Sequence, residues 1–182
     1  MRKRIDNITE QEKRQHRCCF TGHKPEKLSR PEKEVIAWLE AEIRKAIDDG
    51  FVTFISGMAR GVDIWAAEII LRLRDDGPPI HLICASPFEG FERSWSDDWK
   101  QRYNEILRRA DIVKYVCKGY SRTCFQIRNE WMVDRSARVI AVYNGQPGGT
   151  RNTLEYHYPQ LKGKSKKHKK EIKSRTKYHL TK

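Results

Sequence analysis

The sequence predicts an α/β fold: a mostly parallel, five-stranded sheet with helices on both faces. Three observations predict it. Short apolar runs alternate with longer segments of helical periodicity, and no hairpin signal separates them. Alternation of this kind gives parallel strands joined by right-handed crossovers, a Rossmann-like sheet. The run Phe51-Val52-Thr53-Phe54-Ile55 is apolar or β-branched throughout, as a central strand covered on both faces requires. Glycine turns then follow strand one at Gly22, strand two at Gly57 and Gly61, and strand five at Gly148-Gly149.

The elements follow in order. Residues 1–17 are polar and charged, a lead-in or short helix. Strand one is 17–21, ended by Gly22, and Gly22-His23-Lys24-Pro25 is a loop. Ser29 and Pro31 mark a helix start, with Glu32 and Glu34 in its first turn. Val35, Trp38, Leu39, Ile43, Ala46 and Ile47 recur at helical spacing up to Gly50. Strand two is 51–55. The turn Ser56-Gly57-Met58-Ala59-Arg60-Gly61 leads into a helix opened by Val62-Asp63 and stopped by Gly77-Pro78-Pro79. Strand three is 80–84. A helix over 92–109 would carry Trp95, Trp99 and Tyr103 on one face. Strand four is 111–117, a helix spans 123–136, strand five is 138–143, and a short helix spans 151–158.

Charge divides the 182 residues. Residues 162–182 hold ten Lys/Arg and one acid; residues 1–17 hold six Lys/Arg and three acids, out of a formal net charge of +13. The body is therefore nearly neutral, and the basicity is an appendage. The expected organisation is a charged lead-in at 1–17, a Rossmann-like domain at 18–160 and a basic, disordered tail at 161–182. About 140 residues bury enough surface for an independent core.

The five cysteines form no C-x-x-C pair, and most fall in predicted strands, which points to a reducing, cytoplasmic setting. No Cys/His cluster announces a metal. No apolar stretch approaches the ~20 residues of a membrane span, and no signal peptide is evident. The sequence is compatible with a homo-oligomer.

The glycine loops carry the functional expectation. A glycine turn feeding a helix N-terminus leaves N–H groups unpaired at the positive end of the helix dipole, which suits an anion. In parallel sheets, ligands sit beyond the carboxyl ends of the strands. Three such loops on one edge converge on one crevice and imply a phosphate-bearing ligand, a nucleotide or its derivative. Taken singly, each loop is also ordinary turn chemistry.

Six motifs carry a resemblance. They are Thr21-Gly22-His23-Lys24-Pro25 with Leu28, the Ser56 to Asp63 turn, Pro87-Phe88, Trp99 with Arg102-Tyr103 before Ala110-Asp111, Arg128-Asn129-Glu130-Trp131-Met132, and Gly148-Gly149-Thr150. In order and spacing, over residues 18–158, they resemble the YpsA-like family. That family falls within the SLOG superfamily, with the DNA-processing A proteins and the LOG phosphoribohydrolases. The resemblance implies a Rossmann-like fold and a nucleotide-derived ligand, such as NAD, ADP-ribose or a nucleoside monophosphate. It does not fix a reaction.

The candidate ligand-binding residues are Thr21, Gly22, His23, Lys24, Ser56, Gly57, Arg60, Gly61, Asp63, Gly148, Gly149 and Thr150. Asp63 is placed to accept a ribose hydroxyl, or simply to favour the helix dipole. Arg60 can clamp a phosphate bidentately or stand solvated in its loop. Thr150 can bond a phosphate or cap its helix. One of Trp95, Trp99 and Tyr103 could stack on a base, although an aromatic stripe at helical spacing is more often core.

Arg128, Glu130 and Glu155 separate an enzyme from a binder. LOG enzymes cleave an N-glycosidic bond with an arginine and glutamates near a P-G-G-x-G-T-x-x-E loop. Pro147-Gly148-Gly149 and Glu155 match that pattern here, but a further glycine of it is absent, and Arg151 and Asn152 stand in that region. Binding or sensing is the leading expectation, N-glycosidic hydrolysis the second. The third is nucleic-acid contact through the Lys-rich tail, which holds one aromatic, Tyr178, and so no stacking platform.

Overall fold

A computed structural model describes residues 8–157 and the backbone of 176–180. The chain runs α1 (Glu10–Gln15), β1 (Arg17–Gly22), α2 (Glu32–Asp48), β2 (Thr53–Ser56), α3 (Val62–Asp76), β3 (His81–Ser86), α4 (Asp97–Arg109), β4 (Ile112–Tyr115), α5 (Cys124–Asp134), β5 (Arg138–Tyr143), α6 (Gly149–His157) and β6 (Thr176–Leu180). The sheet order is β4-β3-β2-β1-β5-β6, and every neighbouring pair is parallel. The chain steps outward from β1 to β4, then crosses back to place β5 on the other side of β1. The strand order therefore reverses between β1 and β5, where a crevice opens in such sheets.

The five expected strands are present. The sixth, β6, lies in the segment read from its charge as a disordered tail, and it pairs with β5 from Val139↔Thr176 to Tyr143↔Leu180. The rest of that segment, including Lys166 to Lys170, lies outside the described residues, as do residues 1–7.

Strand alternation sorts the core into two layers. Cys18, Phe20, Phe54, Leu82, Cys84, Ile140 and Val142 face a layer built with α2, α3 and α4, including Leu39, Ile43, Trp65, Ile70 and Tyr103. Cys19, Ile55, Ile83, Ala85, Val139 and Ala141 face the opposite layer, with Met132, Val133 and Leu154 from α5 and α6. Both faces are thus covered, which explains why the central strands read as unbroken apolar runs. All five cysteines are free; burial pushes the Cys19 and Cys84 thiols up to about 12.

The expected boundaries shift at two helices. α4 begins at Asp97, five residues after the predicted start. Gly90, at φ +79°, and successive turns occupy the chain before it, and the start signal is Ser96-Asp97-Asp98, with Ser96 extended. Trp95 therefore sits in a loop, off the predicted helical stripe. α6 begins at Gly149, so Thr150 lies inside its first turn and is not its cap. Among the described residues, no helix is long and apolar enough to cross a membrane.

Candidate functional site

Beyond the carboxyl ends of β1, β2 and β5 lies a cleft of about 380 Å³. The end of β1 and the loop after it supply Thr21, Gly22, His23, Lys24 and Lys27; the loop after β2 supplies Ala59 and Arg60; α3 supplies Asp63; the turn from β5 into α6 supplies Gly148 and, from the helix's first turn, Gly149 and Thr150. Three turns far apart in sequence share one wall. A larger depression of about 520 Å³ between α3 and α4 is walled by charges that satisfy one another, among them Arg102–Glu68 at 2.7 Å, so it offers a ligand little.

The loop after β2 is fastened from within. Ser56 Oγ donates to the Asp63 carbonyl at 2.8 Å and accepts from the Met58 N–H at 3.1 Å. Met58 takes a positive φ of 61° and buries its side chain in the core. From α5, the buried Arg128 guanidinium donates through Nη1 to the Gly57 carbonyl and through Nε to Asn129 Oδ1 at 2.8 Å. A Cβ on Gly57 would stand 2.7 Å from Arg128 Nη1 and 2.8 Å from Asp63 Oδ2. A Cβ on Gly61, at φ +90°, would stand 2.9 Å from the His23 carbonyl. Ser56, Gly57 and Gly61 thus do not line the cleft; they let α3, α5 and the β1 loop close beneath it.

Two buried polar atoms in the cleft have no partner: Asp63 Oδ1 and His23 Nε2. Asp63 Oδ2 accepts the Ala59 N–H at 3.2 Å. Burial pushes the Asp63 carboxyl up to about 6, against the pull of Arg128 and the Ala59 N–H. The same burial lowers the Arg128 pKa, opposed chiefly by Asp63. His23 packs on Tyr143 with ring centroids 5.7 Å apart; burial, then Lys27, holds its pKa below the usual imidazole value. Arg60 is ion-paired with Glu26 at 2.9 Å, so it is a tied rather than a solvated arginine.

Two of the three candidate catalytic residues do not reach the cleft. Glu155 is exposed and accepts from Arg151 Nε at 2.7 Å along α6. Glu130 accepts from Gln126 at 2.8 Å. Two helical positions separate Glu130 from Arg128, so a helix turns the one away when the other faces inward. Asp63 is the carboxylate on the cleft wall.

Sequence reasoning missed Phe91, Phe125 and Asn129, which line the cleft together with Trp95, a residue it had weighed as a base-stacking aromatic. Phe91 packs edge-on against Trp95 at 5.0 Å and against Phe125 at 5.6 Å. The Gly90 turn and the Ser96-Asp97-Asp98 helix start would have freed Trp95 from the helical reading. Asn129 was visible as the neighbour of Arg128 in α5.

A family model, YpsA, described as the YspA SLOG family, matches residues 18–180. The chain belongs to this family. The YspA SLOG family match runs through β6, beyond the stretch that the motifs cover. The chain is also 28% identical over 155 residues to the UPF0398 protein OB1025 of Oceanobacillus iheyensis, covering 80% of this chain and 82% of that one. It is 37% identical over 115 residues to the SPbeta prophage-derived protein YoqJ of Bacillus subtilis, covering 57% and 67%. Among solved structures, the chain resembles DNA processing protein A of Helicobacter pylori, described with a single-stranded DNA binding mode. The TM-score is 0.59 at 18% identity, over 93% of this chain and 77% of that one. DNA processing protein A of Streptococcus pneumoniae gives a TM-score of 0.54 at 17% identity, over 92% and 59%. Both likenesses concern the fold of this YspA SLOG family member.

Proposed function

We propose that the protein binds a nucleotide-derived small molecule in the cleft at the carboxyl ends of β1, β2 and β5. The observation that carries the reading is the pair of unpartnered buried atoms, His23 Nε2 and Asp63 Oδ1, in the wall that three glycine loops share. Other buried atoms, such as Trp65 Nε1 and Arg138 Nε, also lack a partner, so the weight falls on His23 and Asp63 sharing one cleft, where a ligand can satisfy both. Asp63 Oδ1 is suited to a ribose hydroxyl. Lys24, Lys27 and the first N–H groups of α6 at Gly149 and Thr150 are suited to phosphate. Ligand pockets run from about 300 to 1,000 Å³, and a volume of about 380 Å³ favours a nucleoside monophosphate over the larger NAD or ADP-ribose.

Thermal shift of the full chain with AMP, ADP-ribose and NAD tests this. AMP at about a hundred times its Kd adds about 2.7 kcal/mol of stability, and Lys24→Ala removes most of that shift. Absence of a shift with all three nucleotides overturns the reading. Binding without turnover is favoured over N-glycosidic hydrolysis, because Glu130 and Glu155 lie outside the cleft. Release of free base from nucleoside monophosphates that disappears in Glu155→Gln would reverse that preference.

A second reading, nucleic-acid contact through the Lys-rich tail, is favoured by the single-stranded DNA binding described for the Helicobacter neighbour. Replacing Lys166, Lys167, Lys169 and Lys170 by Gln should weaken such binding and flatten its salt dependence.

A further inference from the structure

Large apolar side chains exposed to solvent are not scattered over this protein. Ile112, Val113, Tyr115, Tyr120, Phe125 and Ile127 fall in one stretch, 112–127, while only Ile8 and Val52 lie elsewhere among the described residues. That stretch is the edge strand β4, the turn after it and the start of α5. It also holds Lys114, Lys118 and Arg122, all exposed, and not one Asp or Glu. Several exposed arginines elsewhere are neutralised, as in Arg72–Glu40, Arg108–Glu105 and Arg151–Glu155, although the exposed Arg93 is in no ion pair among the described residues. Among the described residues, Lys114, Lys118 and Arg122 take part in no ion pair.

The aromatic rings are braced. Tyr120 packs edge-on against Phe88 at 6.0 Å and against Phe125 at 6.4 Å, while 70% of Tyr120 remains exposed. A ring held by its neighbours and open to solvent loses little entropy when something flat stacks on it. Aromatic rings interleaved with unneutralised cations are what a single strand needs: rings for the bases, charges for the phosphates. A second copy of the chain fits less well. Lysine on an edge strand discourages strand pairing, and the acids near the patch, Glu89 and Glu92, act on Tyr115 from outside the stretch.

We infer that the β4–α5 edge, through Lys114, Lys118, Tyr120, Arg122 and Phe125, is a binding surface for single-stranded nucleic acid. This site is independent of the Lys-rich tail and meets the nucleotide cleft only at Phe125, so it stands whether or not that cleft binds a nucleotide.

Fluorescence anisotropy on the full chain at about 0.15 M salt tests it, with oligo-dT, oligo-U and a duplex of equal length. Stacking of about 1–3 kcal/mol per base corresponds to a loss of about 5- to 150-fold. Tyr120→Ala should therefore weaken both single strands by about tenfold, and Tyr120→Phe should retain binding. The pair Lys118→Ala and Arg122→Ala should lower the salt slope by about 1.4, at ~0.7 per phosphate contact. Preference for oligo-dT or oligo-U identifies the natural strand, and either supports the surface. Unchanged affinity in Tyr120→Ala, or a duplex bound as tightly as the single strands, overturns it. So does a dimer in sedimentation that Tyr120→Ala dissolves, because the patch would then belong to a second copy.

Discussion

The loop after β2 and the loop after β5 look alike in sequence, each a glycine turn feeding a helix, yet they use their glycines differently. At Gly57 and Gly61 the missing side chain makes room for the protein itself: Arg128 and Asp63 at the first, the His23 carbonyl and the Pro25 ring at the second. At Gly148, at φ +147°, a Cβ would meet nothing within 4 Å, and at Gly149 only Asn129 Nδ2 at 3.7 Å. The first loop is a joint between elements; the second borders open space. A glycine turn on a strand end is therefore not evidence for a phosphate until its empty side is known to be empty.

Substitutions sharpen the contrast. The largest effect is expected at the joint: Gly57→Ala must displace a buried guanidinium and a carboxylate, and overpacking of this kind costs about 3 kcal/mol. At about 2–4 °C per kcal/mol for a chain of this size, the thermal midpoint should fall by roughly 6–12 °C. A variant within about 2 °C of wild type would mean that the joint is slack.

The next effect is a pH dependence housed in the same joint. The Asp63 carboxyl titrates near 6 when folded and near ~3.9 when unfolded. The folded state then holds the proton more tightly, so stability falls as pH rises from about 4 to about 6, by an order of 2–3 kcal/mol. Asp63→Asn should remove that decline and leave the protein more stable at pH 7 than its parent. Parallel melting curves of parent and variant across pH 4 to 7 would refute it.

The smallest effect on folding belongs to the open loop. Gly149→Ala places a better helix former in α6 and should change stability by less than about 1 kcal/mol, in the favourable direction. It should nevertheless weaken the AMP-induced thermal shift. An undiminished shift would remove this loop from the site.

The fold was legible because each strand carries its own burial in its composition. Phe54-Ile55 and Val139 to Val142 read as covered on both faces, and the two core layers cover them. β6 was not legible, since the charge around Thr176–Leu180 hides a short alternation that only β5 can reward. The candidate site was half legible. His23, Lys24, Asp63 and Thr150 announced themselves by following strand ends. Phe91 and Phe125 did not, because a ring's sequence neighbours do not say which side of a turn it leaves by. Glu155 matched a motif by spacing and still faces away, paired with Arg151, because spacing along a helix fixes a face only relative to its neighbours.

The adjacent thiols of Cys18 and Cys19 go to opposite layers of the sheet, each fully enclosed. Neighbours in the chain are thus chemically remote, and neither is within reach of an oxidant or alkylating agent while the sheet is intact. Cys117, only partly covered, is the accessible sulfur, so the order in which the thiols become modified is a clock that starts when the sheet opens.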